Sequence, residues 1–408
     1  MSQVHVYSEI GRLRLVMLNR PEDELRQIHP FLLDRMLFQD TPYLERAQKE
    51  HDAFADAIRS TGAEVVYIRD LFAQAMAVPE AREAFIREFV AASGIASPSL
   101  AEVVADHYAS LPTQDFVDAV FCGIRCDDPM FEGLSSLGAL LRGDDPFVVD
   151  PLPNSYFARD SSINVGDAVI FSHMCKPIRQ REPILLRYVH RYSDLYRDDP
   201  TEALYRTEMP WSIEGGDVMV VSHDALCIGC FGRTQPGAIE TLAPKAFDHG
   251  FKAIYAFHTQ DPHVMHLDGM LTMIDVDTFM CNAFLRDTVE VIKLTPGAPD
   301  GQGEPTVVAS RVEGGWPEAL AEAAGVPKVR LVPCGDGDLI TGRWESSNLG
   351  NNLLAVAPGE VVAYDRNVTT LDLLDKTGIT VHTFDGSELS RGKGGPRCMS
   401  MPIWREEV

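Results

Sequence analysis

The sequence predicts a mixed α/β fold interrupted by a helical bundle, and three observations carry that expectation. Residues 1–72 alternate a strand-like run, a helical stretch and a second strand. Residues 73–145 shift to Ala, Glu, Phe and Leu in pieces broken by proline. From about 150 onward, short apolar runs recur between turns rich in Gly, Asn and Asp.

The elements follow in order. Residues 13–18, Leu-Arg-Leu-Val-Met-Leu, form a strand that Arg20-Pro21 ends. Tyr43, Leu44, Ala47, His51, Phe54, Ala55 and Ile58 repeat at helical spacing over 42–60. Gly62 closes that helix, and 64–68 is the next strand. Helices fit about 79–93, 99–110, 113–125 and 131–142, and no strand alternation interrupts them. Pro146 and Pro151-Leu-Pro153 return the chain to the first pattern. The expected organisation is therefore an α/β catalytic domain from 1–72 and 146–408, with an inserted helical domain at 73–145. In the second half, strands are expected at 162–165, 168–172, 217–221, 225–230, 253–257, 272–276, 290–293, 328–332, 353–356, 361–364 and 380–384, with helices near 181–195, 236–249, 316–324 and 369–376. Four segments share a texture of polar turn then apolar strand: Arg159-Asp160, Glu214-Gly-Gly-Asp217, His266-Leu-Asp268 and the stretch 348–352. They hint at an internal repeat.

Composition narrows the function. Among 408 residues, 36 Lys and Arg stand against 60 Asp and Glu, a balance of −24, and 45% of residues are hydrophobic. That describes a globular chain long enough to bury its own core. The negative balance opposes nucleic acid and anionic membrane as partners and leaves room for a cationic ligand. The first residues lack the basic and apolar regions of a leader, so a cytoplasmic location is expected, with the eight cysteines reduced. Cys122 and Cys126, and the Cys227–Cys230 pair, lack the second pair a zinc site needs. No metal and no organic cofactor is expected.

Three segments concentrate reactive groups. In Arg391-Gly-Lys-Gly-Gly-Pro-Arg-Cys398, a thiol follows a glycine-rich turn between Lys393 and Arg397. Both cations favour thiolate, the nucleophilic form. In His266-Leu-Asp268, a strand would place both side chains on one face. Glu214-Gly-Gly-Asp217 and Arg159-Asp160 add carboxylates. One Cys, one His and several carboxylates without metal spacing suit a planar cation attacked by a thiolate. A guanidinium fits, because its forked N–H donors match carboxylates.

In this order the motifs resemble those of the bacterial arginine deiminases, within the guanidino-group-modifying enzymes. The resemblance runs through Met36-Leu-Phe-Gln-Asp40, Ala47-Gln-Lys-Glu-His-Asp-Ala-Phe54, Pro151-Leu-Pro-Asn-Ser-Tyr-Phe-Ala-Arg-Asp160, Ile213-Glu-Gly-Gly-Asp217, His266-Leu-Asp268, Ala357-Pro-Gly359, Gly386-Ser-Glu-Leu and Gly394-Gly-Pro-Arg-Cys-Met-Ser-Met-Pro402. It implies a five-bladed, pseudo-symmetric α/β propeller with an inserted helical bundle. It implies hydrolysis of L-arginine to L-citrulline and ammonia through a covalent Cys thiouronium intermediate, and a homo-oligomer. By match to the family, Cys398 is the nucleophile and His266 the general acid and base. Asp160 and Asp268 hold the guanidinium, and Glu214 assists proton transfer. Arg179 and Arg233 pair with the substrate carboxylate, with Asn154, Gly392 and Lys393 at the amino-acid end.

Departures from the family pattern bear on substrate and efficiency. Lys393 stands where Arg is usual, Gly269 where Thr is common, Gln39 for the first Asp of an acidic pair, and Ser161 for Pro. Two alternatives stay open: a deiminase for another carboxylate-bearing guanidino compound, and an amidinotransferase.

Overall fold

A polar turn, an antiparallel strand pair and a crossover to a parallel third strand recur along the chain. The computed structural model describes residues 3–133, 137, 144–198, 201–262, 264–282, 284, 288–299, 301 and 306–408. β1 (Leu13–Leu18) leads through α1 (Leu44–Ser60) to the parallel β2 (Glu64–Tyr67). Then come α2 (Ile68–Met76), α3 (Pro79–Ala92), α4 (Pro98–Ser110) and α5 (Thr113–Cys122), followed by the antiparallel pair β3 (Ile124–Arg125) and β4 (Phe147–Val149).

The pattern resumes with β5 (Ser162–Val165), β6 (Ala168–Phe171), α6 (Glu182–Tyr192) and β7 (Ala203–Tyr205). It repeats with β8 (Val218–Ser222), β9 (Ala225–Gly229), α7 (Pro236–Asp248) and β10 (Ala253–His258). In the next unit β11 (Leu271–Asp275) and β12 (Thr278–Cys281) are followed by a hairpin, β13 (Glu290–Pro296) and β14 (Val307–Arg311). This hairpin joins β10 and widens that sheet to five strands. α8 (Trp316–Ala324) then leads to β15 (Arg330–Pro333). After α9 (Thr341–Ser347) come β16 (Leu354–Ala357), β17 (Glu360–Tyr364), α10 (Val368–Lys376) and β18 (Thr380–Phe384). The last strand, β19 (Met401–Arg405), pairs antiparallel with β1, so the two ends of the chain complete one sheet. In all five units the first two strands are antiparallel and the third joins the second in parallel.

Local chemistry explains the elements. α1 buries Leu44, Ala47, His51, Phe54, Ala55 and Ile58, the stripe its spacing predicts. Proline opens α3, α4 and α7 at their first turn, where its missing N–H costs nothing. The helical region closes around Phe72, Phe85, Phe89, Tyr108, Phe116 and Phe121, and its core continues onto Leu185, Leu186 and Val189 of α6. Glu50, buried on α1, accepts the N–H of Glu388 at 2.9 Å and of Leu389 at 3.1 Å. That bond ties α1 to the loop leading to Cys398 and gives the Ala47–Phe54 motif a structural reason.

Several boundaries differ from expectation. Ile68 starts α2 rather than ending β2. α5 stops at Cys122 because Gly123 takes φ +71°, and a Cβ there would lie 2.3 Å from the Val149 carbonyl oxygen. A short strand therefore follows inside a segment expected to be wholly helical. The helix expected near 131–142 falls largely outside the described residues. α2, β4, β7, β12, β14, β19 and α9 were not anticipated. Among the described residues no helix is long and apolar enough to cross a membrane.

The core also carries an acid-sensitive element. His190 of α6 stacks on Tyr196 with centroids 4.0 Å apart, and neither ring nitrogen has a hydrogen-bond partner. Burial lowers its pKa to about 3. The unfolded chain, titrating at about 6.5, binds a proton in the window between these values that the folded protein does not. The stability contributed by the neutral ring is full above that window and is lost as pH falls through it, with a limiting slope of about 1.4 kcal/mol per pH unit. His190→Phe should therefore lose less melting temperature between pH 7 and pH 4.5 than the parent in paired thermal scans. Parallel pH dependences would refute this source of acid lability.

Candidate active site

The polar turns that precede the first strand of each unit converge. Asp160 lies before β5, Glu214 before β8, Asp268 before β11, Asn352 before β16 and Cys398 before β19. A cavity of about 140 Å³ is lined by Asp160, His266 and Cys398, with Asn154, Arg179, Arg233, Gly392 and Lys393 also in its wall. Phe38, Phe157 and Met265 supply apolar surface.

His266 anchors the charge pattern. Its Nε2 lies 2.8 Å from Glu214 Oε2, and its Nδ1 lies 3.8 Å from Asp160 Oδ1. Burial alone would lower the imidazole pKa. Asp160, the Glu214 hydrogen bond and Asp217 outweigh it and raise the value to about 9. Glu214 resists the upward push of burial through His266 and Arg233 and stays ionised, with its pKa lowered to about 2. Its Oε2 accepts from Arg233 Nη1 at 3.0 Å, and its Oε1 from the Cys175 N–H at 2.9 Å. The imidazole is thus a cation at neutral pH. Gly216 permits this closeness: a Cβ there would sit 2.6 Å from His266 Nδ1 and 2.9 Å from Asp160 Oδ1.

Asp160 receives Arg179 Nη1 on Oδ2 at 2.5 Å, while Oδ1 is buried with no hydrogen-bond partner among the described residues. Arg179 also donates from Nε and Nη2 to Glu182, at 3.0 and 2.8 Å, and reaches the carbonyls of Asn154 and Phe157. Removing this guanidinium would strand two buried carboxylates, a cost of about 3–5 kcal/mol. Arg233 is less committed, because among the described residues its Nη2 meets only the Met265 thioether, at 3.2 Å. Asn154 Nδ2 donates to the Met36 carbonyl at 2.8 Å. Gly392 packs on the Tyr156 and Phe157 rings, and Lys393 takes a left-handed φ of +65° at the rim.

Cys398 corrects an expectation. Its flanking cations were read as favouring thiolate. Arg397 does favour the thiolate, but its N–H donors are taken by Glu9 and Asp268, and the thiol is buried. The thiol donates to Asp268 Oδ2 at 3.4 Å, and its own N–H donates to Asn352 Oδ1 at 3.3 Å. Burial, then the charges of Asp268 and Asp160, hold its pKa well above the usual thiol range. The resting group is a neutral thiol facing carboxylates.

Other residues were named in the sequence without the roles the fold gives them. Asp217 accepts the Leu267 N–H at 3.0 Å and the Thr234 hydroxyl at 2.6 Å, which holds the His266 turn against the Glu214 turn. Its place three residues after Glu214 was the available signal. Asn352 bridges Cys398 and the Asp268 carbonyl. Ser161 donates to Glu182 at 2.6 Å and so steadies Arg179. The Gly269 carbonyl accepts from Asn351, and Gln39 donates its N–H to the Arg391 carbonyl at 2.9 Å. Among the described residues no three His, Cys, Asp or Glu side chains are grouped as metal ligands.

Glu214→Gln should bring the His266 titration down from about 9 by about one pH unit or more, since a charged partner of the imidazolium is lost. Imidazole proton shifts in an NMR pH series report it directly. An unmoved titration would dissociate the His266 charge from Glu214.

The arginine deiminase family model matches residues 34–405. An arginine deiminase of Limosilactobacillus reuteri is 41% identical over 414 residues, covering 100% of this chain and 99% of the relative. An arginine deiminase of Streptococcus gordonii is 39% identical over 411 residues, covering 99% of each chain. Among solved structures, an amidinotransferase from Microseira wollei superposes with a TM-score of 0.58 at 12% identity, covering 100% of this chain and 98% of that one. An inosamine-phosphate amidinotransferase from Streptomyces griseus gives 0.54 at 14% identity, covering 100% and 98%. DDAH from Pseudomonas aeruginosa gives 0.51 at 13%, covering 96% and 99%. At such identities the structural likeness shows the mixed α/β fold. With the family model matched over most of its length and full-length relatives near 40% identity, the chain belongs to the arginine deiminase family.

Proposed function

We propose that the chain hydrolyses L-arginine to L-citrulline and ammonia, with Cys398 as nucleophile. The observation that carries this reading is the buried, unpartnered Asp160 Oδ1, set beside the His266 imidazolium in a cavity that also holds the Cys398 thiol. A planar cation offers the N–H donors that this oxygen lacks. Asp268 supports the guanidinium from the other side. Arg233 meets the substrate carboxylate, with Arg179 contributing through its remaining Nη1 hydrogen, and Asn154, Gly392 and Lys393 border the amino-acid end.

The chemistry follows from the charges. A bound guanidinium offsets Asp160 and Asp268, which raise the thiol pKa, and the thiol releases its proton to water. The thiolate adds to the guanidinium carbon. His266 donates its proton to the departing amino group as the C–N bond breaks, and ammonia leaves a thiouronium on Cys398. His266, now neutral, takes a proton from water, whose oxygen attacks the same carbon. The C–S bond breaks as the added hydroxyl becomes the citrulline carbonyl, its proton passes to the departing sulfur, and Cys398 returns to the thiol with His266 already protonated.

The same reading places the five strand units as five blades around a common axis, with 73–145 as an inserted helical domain. Its support is that five units of one topology each send one polar residue to the same region. The eight free cysteines fit a reducing cytoplasm. A homo-oligomer completes the reading, and sedimentation tests it.

A citrulline and ammonia assay with L-arginine decides the reaction. Equimolar products, absent in Cys398→Ser, are expected; product that appears only with an added acceptor amine would mean amidino transfer. Arg233→Gln should raise KM for arginine about 10–100-fold, as expected for a lost charged hydrogen bond, and agmatine's KM far less. Equal effects on both would sink the carboxylate role. Because His266 acts first as an acid, kcat should fall as pH rises through about 9.

A further inference from the structure

Behind the cavity, Arg397 joins two carboxylates that reach it from distant parts of the chain. Its Nε and Nη2 donate to Glu9 Oε2 and Oε1 at 3.1 and 3.0 Å, and its Nη1 donates to Asp268 Oδ2 at 3.0 Å. Nη2 also meets the Val218 carbonyl at 2.8 Å. The Asp268 oxygen held in this way is the one that accepts the Cys398 thiol. Glu9 precedes β1, in a segment fixed by the Val6–Gly166 bridge and by the His5 N–H to the Ile403 carbonyl at 2.9 Å. Its Oε1 also lies 3.9 Å from Arg159, whose own N–H donates to the Cys398 carbonyl at 3.0 Å. Glu9, Arg397 and Asp268 are all buried.

We propose that Glu9 is a positioning residue for deimination: by occupying one side of the Arg397 fork, it pins one Asp268 oxygen beside the thiol and leaves the other for the guanidinium. The proposal rests on the arginine deiminase reading of the site. Its physical basis is the fork itself. A guanidinium facing a single carboxylate closes on both oxygens. Without Glu9, Arg397 would claim Asp268 in that way and draw it from the substrate. The Glu9 charge also balances Arg397, so the thiol and the substrate meet an Asp268 whose charge is not cancelled.

The test reads Cys398 without substrate. Iodoacetamide alkylation of the full-length protein is followed across pH by the mass of the Cys398 peptide. The groups facing this thiol are Asp268, Asp160 and Arg397, with Tyr156 and Tyr364 behind it and His266 across the cavity. Glu9→Gln should move the alkylation profile to lower pH by about one unit and raise KM for L-arginine about tenfold, because one balancing charge is removed. Arg397→Gln should move the profile the opposite way. A role in mere folding would move both variants in one direction. Shifts of the same sign, or a Glu9→Gln protein indistinguishable from the parent, overturn the proposal. If Glu9→Gln does not fold, Arg397→Lys carries the test. It keeps the charge without the fork, so the thiol profile should stay near the parent's while KM rises. A Lys variant whose profile follows Arg397→Gln overturns the proposal. Citrulline formation by the parent protein separately judges the deiminase reading.

Discussion

Three buried acids surround the reactive pair, Asp160 and Glu214 beside the His266 imidazolium and Asp268 beside the Cys398 thiol, and each is held by its own arginine: Asp160 by Arg179 at 2.5 Å, Glu214 by Arg233 at 3.0 Å and Asp268 by Arg397 at 3.0 Å. An unpaired carboxylate at such depth costs several kcal/mol and would take up a proton instead. The arginines supply compensating charge without saturating the acids, as the unpartnered Asp160 Oδ1 shows among the described residues. The pairs at Asp160 and Glu214 share one spacing, nineteen residues between acid and base. In each, the acid precedes the first strand of its unit and the arginine follows the second. The β-turn-β step thus brings the two charges together locally, before any long-range packing is needed.

Much of this was legible in the residues. The helical stripe of α1, the prolines opening α3 and α4, and the turn-then-strand texture before β5, β8, β11 and β16 all follow from spacing and side-chain type. The reactive groups were legible as types: a thiol after a glycine turn, a His two before an Asp, a Glu before Gly-Gly. The fifth unit was not, because β19 pairs with β1 across nearly the whole chain and no local signal reports that pairing. β14 was missed because its five residues are exposed or only half-buried and carry no burial alternation.

Direction was the other hidden quantity. Arg397 is the immediate neighbour of Cys398, and adjacency suggests that its charge acts on the thiol. It does, but Glu9, 388 positions earlier, and Asp268 take the Arg397 donors, and burial with the charges of Asp268 and Asp160 outweighs it. Likewise the resemblance and the spacing from Asp160 assign Arg179 to a substrate carboxylate. In the fold, Glu182 three residues on takes its Nε and Nη2. Spacing locates a charge along the chain, but its partner decides what remains for a ligand.

The resting thiol makes sense in these terms. A permanently ionised Cys398 beside Asp160 and Asp268 would add a third negative charge at a buried position, where repulsion is weakly screened. Keeping the proton avoids that repulsion and leaves the nucleophile quiet. In the proposed reaction the missing positive charge is the substrate itself. The same cation that fills the space between the two carboxylates lowers the thiol pKa, so activation and recognition become one event. A neutral urea of similar shape, such as the citrulline product, satisfies the hydrogen bonds but not the charge. It would leave Cys398 protonated, which favours product release over the reverse attack.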